Sequence, residues 1–159
     1  MAATVIGILG YCPEAEDIGQ ETFIRFYKSL SKFRGDSSIG TYLTRIAINL
    51  SYNEIKRRQK KQKLFASEPE SRIVNHPFFD KNPQNRETRR IVQRGLQQLE
   101  PKFRAVLVLR LIQGYSTEET AKILKLPIGT VLSRLARAQM KLKKILSPFF
   151  KEKKNDKIP

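Results

Sequence analysis

Three groups of side chains in this 159-residue chain have the types and spacing to do chemistry. The first begins at Ser116-Thr117-Glu118-Glu119, a capping box in which the serine oxygen takes the Glu119 amide and the Glu119 carboxylate returns to the serine amide. The helix it opens carries Ala121, Ile123 and Leu124, and Lys125-Leu126-Pro127-Ile128-Gly129 then makes a tight connection. Thr130 to about Ile145 forms a second helix, dense in Arg and Lys. A short capped helix, a tight turn and a basic second helix make a helix-turn-helix. Ala121 must be small where the helices cross, and Val131 and Leu135 hold the second helix against the first. Ser133, Arg134, Ala136, Arg137 and Lys141 are left on the outer face, where a DNA groove would be met. An ordinary helical hairpin with a solvated basic face is the alternative, and the agreement of the cap, the small residue and the turn favours the helix-turn-helix.

The second group is Lys56-Arg57-Arg58, with Lys60, Lys61 and Lys63 just beyond. Cations suit a helix C-terminus in any protein. Asn49, Tyr52 and Asn53 on the same helix shift the reading, because Asn and aromatic side chains beside a basic run suit base-edge contacts and stacking on an unwound strand. The third group, Asp17, Gln20 and Glu21, is a polar face opposite an Ile18–Phe26 stripe, and plain solvation would explain it. Cys12 and His76 are read as inert. Glu118-Glu119 is better explained by capping than by acid–base work. The sequence has no Gly-rich phosphate loop, nucleophile elbow or metal-ligand spacing. It gives no reason to expect an enzyme, a cofactor or a small-molecule substrate.

The elements that must position these groups are helical. Ile18, Phe23, Phe26 and Leu30 trace the apolar stripe of a helix from Glu14 to about Leu30. Phe33-Arg34-Gly35-Asp36-Ser37-Ser38 breaks it with turn formers, and Asp36 or Ser37 can cap a second helix to about Arg58. Its expected stripe is Leu43, Ile46, Ala47 and Leu50. Pro69, Pro77 and Pro83 then interrupt any period, and Ile73-Val74 and Phe78-Phe79 are the small anchors of a flexible tether. Pattern resumes near Arg89 with Ile91, Val92, Leu96 and Leu99. The fold class is all-α: residues 1–60 form one small bundle, 61–88 a linker, 89–150 a second bundle with the helix-turn-helix, and 151–159 a basic tail.

Composition sharpens this. The net charge is +16, from 31 Lys+Arg against 15 Asp+Glu. It is spread unevenly: residues 1–56 carry six basic and six acidic side chains, 57–95 carry eleven against four, and 96–159 fourteen against five. A polyanion is therefore the expected partner of the later parts, nucleic acid first and a membrane surface second. The single cysteine excludes an intramolecular disulfide and any Cys-built zinc site, and suits a reducing, cytoplasmic home. No apolar run reaches the roughly 18 residues of a membrane span. The opening MAATVIGILGYC has no basic residue ahead of its apolar stretch, unlike a signal peptide.

Asp17-Ile18-Gly19-Gln20-Glu21-Thr22-Phe23 resembles the D-x-x-Q-E-T-F signature of the sigma factors of bacterial RNA polymerase. Phe33-Arg34-Gly35-Asp36-Ser37-Ser38 and Arg45-Ile46-Ala47-Ile48-Asn49-Leu50 continue the match in order. Pro127-Ile128-Gly129-Thr130-Val131-Leu132-Ser133-Arg134-Leu135 resembles that family's P-x-G-T-V-K-S-R-L recognition helix. Two bundles with a variable linker are similar to the extracytoplasmic-function group, and the resemblance covers residues 14–58 and 96–146.

The resemblance implies core RNA polymerase and promoter DNA as partners, with an anti-sigma factor as a further one. Asp17, Gln20 and Glu21 would face the polymerase's clamp. Phe33, Arg34, Gly35, Asp36, Ser37 and Ser38 would form the pocket for a base flipped out of the −10 element. Asn49 and Asn53 would meet neighbouring −10 bases or the non-template strand, with Lys56, Arg57 and Arg58 on phosphates. Ser133, Ala136 and Arg137 would meet the −35 element, Arg134 a phosphate, with Lys141 on the same face. A free-standing helix-turn-helix regulator is the alternative, but such a protein has no use for Asp17-Gln20-Glu21 beside a base pocket.

Three departures from the family stand out. Leu132 occupies a position often held by Lys or Arg, and Tyr42 replaces the commoner Trp. Ahead of residue 14 the family usually has a further helix, where this sequence has MAATVIGILGYCP, with Ile6, Ile8 and Leu9 as the stump. The sequence therefore predicts a first bundle short of cover and less stable than the second, and an upstream extension carrying the helix.

Overall fold

The computed structural model describes residues 2–65 and 83–155. Among them the chain forms seven α-helices and no strand, the all-α class expected. They are α1 (Ala2–Leu9), α2 (Pro13–Ser29), α3 (Ile39–Phe65), α4 (Pro83–Gln98), α5 (Pro101–Leu107), α6 (Thr117–Leu124) and α7 (Ile128–Asn155). A 3₁₀ turn, Leu30–Lys32, ends α2, and a π-turn, Val108–Ile112, follows α5. Residues 66–82, which include the expected anchors and His76, lie outside the described residues.

The first bundle is α1–α3. Its apolar opening coils into α1, and Gly10 stops it by adopting φ +84°, which places its amide on the Ile6 carbonyl at 2.8 Å. Val5 and Leu9 pack on Ala15 and Ala47. The residues read as a stump are thus a helix with Val5, Ile8 and Leu9 buried, and they cover the bundle expected to be bare.

The inward face of α2 differs from the expected stripe. Ala15 and Thr22 are buried, while Phe23 and Leu30 point to solvent. Thr22 turns inward because its hydroxyl donates to the Ile18 carbonyl at 2.7 Å, a local bond that satisfies its one polar group. The α3 cap also differs from expectation. Ser38, rather than Asp36 or Ser37, takes the Thr41 amide at 3.1 Å, and the helix runs past Arg58 to Phe65. Its buried side is Thr41, Thr44, Ala47, Ile48, Leu50 and Ser51, with Leu43 and Ile46 half-buried.

In the second bundle Leu96, Leu99, Phe103, Leu107 and Ala138 form one cluster, and Val106, Ala121 and Val131 form another. Ala121 therefore sits at the α6–α7 crossing, as its size required. The two bundles also meet. Ile8 and Ile48 share a core with Ala105, Val108, Leu109 and Ile123. A β-carbon on Gly7 would stand 2.9 Å from the Val108 methyls, so only glycine permits this approach of α1.

Candidate nucleic-acid interface

The helix-turn-helix is built by local chemistry. Ser116 Oγ accepts the Glu119 amide at 3.1 Å, and Glu119 takes the Ser116 amide at 2.7 Å. Both halves of the capping box are present, and the exposed Glu118 carboxyl is held below the usual range by hydrogen bonds with its own backbone amide and Ser116. At the other end Lys125 takes the left-handed conformation, φ +53°, and the chain enters α7 within three residues.

Val131 and Ala138 of α7 are buried, with Leu135, Leu142 and Ile145 half-buried. Ser133, Ala136 and Arg137 consequently project outward and are exposed, as predicted. Two other residues expected on that face are differently placed. Arg134 is half-buried and lies close enough to Tyr52 of α3 to act on its phenol electrostatically. Lys141 reaches back to the start of α5, donating to Glu100 at 2.7 Å and lying 4.6 Å from the Phe103 ring centre. Its ammonium, with Lys102, keeps the Glu100 carboxyl below its usual range, so part of this charge is answered by an exposed ion pair at the start of α5.

On α3, Asn49, Asn53, Lys56 and Lys60 are all exposed. Their spacing of four, three and four places them in one stripe. The loop ahead of α3 is held at its first residue: the Phe33 ring packs edge-on against Tyr42 at 5.3 Å and Phe26 at 6.2 Å. The Tyr42 hydroxyl donates to Ser29 Oγ at 3.2 Å. Phe33 is thus an anchor of the loop, while Arg34, Gly35, Asp36 and Ser38 are exposed, with Ser37 half-buried. Gly35 adopts φ +76°, the left-handed conformation that turns this loop.

The basic run is less uniform than its sequence. Arg57 donates to both Glu54 oxygens, at 2.8 and 3.0 Å, and Arg58 to Glu54, Glu14 and Cys12, each at 3.0 Å. Burial alone would raise the Glu54 carboxyl, but the two guanidinium hydrogen bonds outweigh it and hold the group low. Burial pushes the Cys12 thiol up, against the pull of Arg58. Arg58 is therefore a strut between α2 and α3. Tyr52 also departs from its expected stacking role. It faces the second bundle, donates to the Pro101 carbonyl at 3.4 Å, and has its phenol pushed up by burial.

Asp17 and Gln20 are exposed and Glu21 half-buried on the outer side of α2, where Glu21 pairs with Arg25 at 2.7 Å. Exposed Phe23, Ile24 and Tyr27 lie around them. An open groove of about 590 Å³ between α1 and α2, lined in part by Ile6, Tyr11, Gln20 and Phe23, borders this face. Sequence periodicity assigned Phe23 to the core, so its exposure beside Gln20 was not foreseen.

The geometry thus presents a helix-turn-helix with Ser133, Ala136 and Arg137 exposed on its second helix, an exposed Asn–Lys stripe on α3 and a mixed polar and apolar outer face on α2. Residues 3–61 match the family model Sigma-70 region 2, and residues 89–142 match Sigma-70, region 4. The chain is 37% identical over 147 residues to the RNA polymerase sigma-H factor of Pseudomonas aeruginosa, covering 87% of this chain and 76% of that one. It is 35% identical over 151 residues to the ECF RNA polymerase sigma-E factor of Escherichia coli K12, covering 89% and 79%. The chain therefore belongs to the sigma-70 family of bacterial RNA polymerase sigma factors, in its extracytoplasmic-function group. Among solved structures it shares the fold of the Bartonella quintana sigma factor RpoE, solved in complex with the anti-sigma factor NepR, with a TM-score of 0.78 at 23% identity over 92% of this chain and 89% of that one. CnrH, solved with the cytosolic domain of CnrY, superposes with a TM-score of 0.66 at 24% identity, covering 92% and 80%. No helix among the described residues is long and apolar enough to cross a membrane.

Proposed function

We propose that this sigma factor binds core RNA polymerase through the outer face of α2, places α7 in the −35 element, and holds the opened −10 strand against α3 and the loop before it. The observation that carries this reading is the separation of chemistries on one chain. A duplex-reading helix and an Asn-bearing stripe suited to single strands occur together, as a protein needs if it must both find and open DNA. Asp17 and Gln20 supply polar contacts and Phe23 apolar area to the polymerase clamp. Arg34, Gly35, Asp36, Ser37 and Ser38 line the place for a flipped base, whose extrusion costs a few kcal/mol and needs a pocket. Asn49 and Asn53 meet neighbouring bases, with Lys56 on phosphates and Arg57 as a second, partly neutralised cation. Arg58 serves the reading indirectly, by fixing α3 on α2.

The factor catalyses no covalent step and works in the cytoplasm, where polymerase and promoter are. An anti-sigma factor is a further partner, since the Bartonella quintana RpoE, whose fold this chain shares, was solved with the anti-sigma factor NepR. Run-off transcription with purified core polymerase on a promoter library tests the reading. Transcripts from a defined subset, dependent on the added chain, are expected. Duplex binding without any stimulated initiation would favour a free-standing regulator instead.

A further inference from the structure

The outward face of α7 is not uniformly polar. Ile128 is 48%, Leu132 51% and Met140 69% exposed. With exposed Ala136 they recur every fourth residue, which makes one apolar stripe along the helix. Ser133 and Arg137 lie one residue further on in each turn and form the polar stripe beside it. No buried cluster among the described residues uses Leu132, so its exposure is not the edge of one of these cores.

The nearest large ligand for a surface so rich in cations is a polyanion, since residues 96–159 carry fourteen basic against five acidic side chains. A DNA major groove offers one apolar feature to an inserted helix, the thymine C5-methyl group. Helix-turn-helix proteins bring the first turns of the second helix to base edges, and Leu132 lies in the second turn of α7.

We infer that Leu132 is a specificity-determining residue that packs on a thymine methyl in the −35 element, with Ala136 extending the apolar contact, where a cation would have met a phosphate. This rests on the −35 reading of α7. It makes thymine a requirement at one position of the element, and it removes one salt-sensitive contact from the helix.

The test uses full-length chain with core polymerase. Duplexes selected from a library randomised across the −35 region are resynthesised with deoxyuridine replacing each thymine in turn, which deletes one methyl and nothing else. Loss of one particular methyl should weaken binding about fourfold, the worth of one buried carbon. In Leu132→Ala the same change should have no further effect. Leu132→Lys should exchange methyl sensitivity for a steeper salt dependence, by about one counterion. Selected elements without a shared thymine, wild-type binding indifferent to every deoxyuridine, or undiminished methyl sensitivity in Leu132→Ala would each overturn the inference. So would a Leu132→Ala chain that binds the duplexes normally but loses core polymerase, which would assign the stripe to a protein. Arg137→Ala is the separate control: if it leaves selectivity intact at every position, the −35 reading itself fails.

Discussion

Glu54 illustrates how single residues in this chain differ from what their neighbours in sequence suggest. It sits two residues ahead of a basic run, yet it gathers Arg57 and Arg58, which makes Arg58 a structural cation and partly neutralises Arg57. Its carboxyl is held below the ordinary value of about 4.3. A depressed carboxylate stabilises the fold above its unfolded pKa, and the contribution is lost as pH falls through the folded value. Glu54→Gln should therefore lower the melting temperature at pH 7, by the equivalent of about 1 kcal/mol or less given the exposed partners. The two proteins should converge as pH falls through the folded value, and melting temperatures that stay equally far apart from pH 7 into the acid range would contradict this. Asn49 and Asn53 differ from Glu54 because they are exposed and no side-chain hydrogen bond among the described residues claims them. Asn49→Ala with Asn53→Ala should spare closed-complex binding and impair opening, read as reduced permanganate reactivity of −10 thymines. Their exposure on one stripe was legible from spacing alone. The diversion of Arg58 and Tyr52 was not, because their partners stand 44 and 49 residues away.

At the scale of elements, the helix-turn-helix was the most legible part of the chain. Its signals are local: Ser116 and Glu119 lie three apart, and the apolar stripe of α7 repeats on one helix. Ser116→Ala should cost about 1 kcal/mol, measured by urea unfolding, and should weaken DNA binding only in proportion to the unfolded fraction. α2 was the least legible. Phe23 and Tyr27 point outward, and periodicity alone cannot separate a core face from a face left bare for another protein. Asp17→Lys with Glu21→Lys should weaken core-polymerase binding in a fluorescence titration while leaving duplex binding by α7 unchanged. Equal affinity for the polymerase would remove this face from the interface.

At the scale of the whole molecule the two bundles are tied at the end of α1. A helix C-terminus leaves its last carbonyls without partners inside the helix, and here α4 and α5 supply them to Gly7 and Ile8 and add a second donor at Ile6, which already takes the Gly10 amide. Gln93 donates to the Ile6 carbonyl at 2.8 Å, Gln97 to Gly7 at 3.5 Å, and Arg104 to Ile8. Arg104 also holds the Gln97 and Leu99 carbonyls, at 2.7 and 2.8 Å. Burial lowers its guanidinium to about 10. Thr44 and Tyr115 share a hydrogen bond of 2.9 Å, and Arg45 reaches the Lys122 carbonyl at 3.1 Å, so the contact extends along α3. Gly7→Val would drive methyls into Val108. The expected result is parting of the bundles, seen as a larger radius of gyration in small-angle scattering, with α6 and α7 still protected from hydrogen exchange. An unchanged radius would show that the contact tolerates the bulk. By itself the sequence determined the all-helical class, the order of helices from α2 onward, the capping box and the outward placement of Ser133, Ala136 and Arg137, because each depends on spacings within a few residues. Only the tertiary structure decided that α1 docks on α4 and α5, that Arg58 and Lys141 pair with carboxylates on other elements, and that Phe23 is bare. Those outcomes depend on which distant surfaces meet, and residue spacing along a chain carries no record of that.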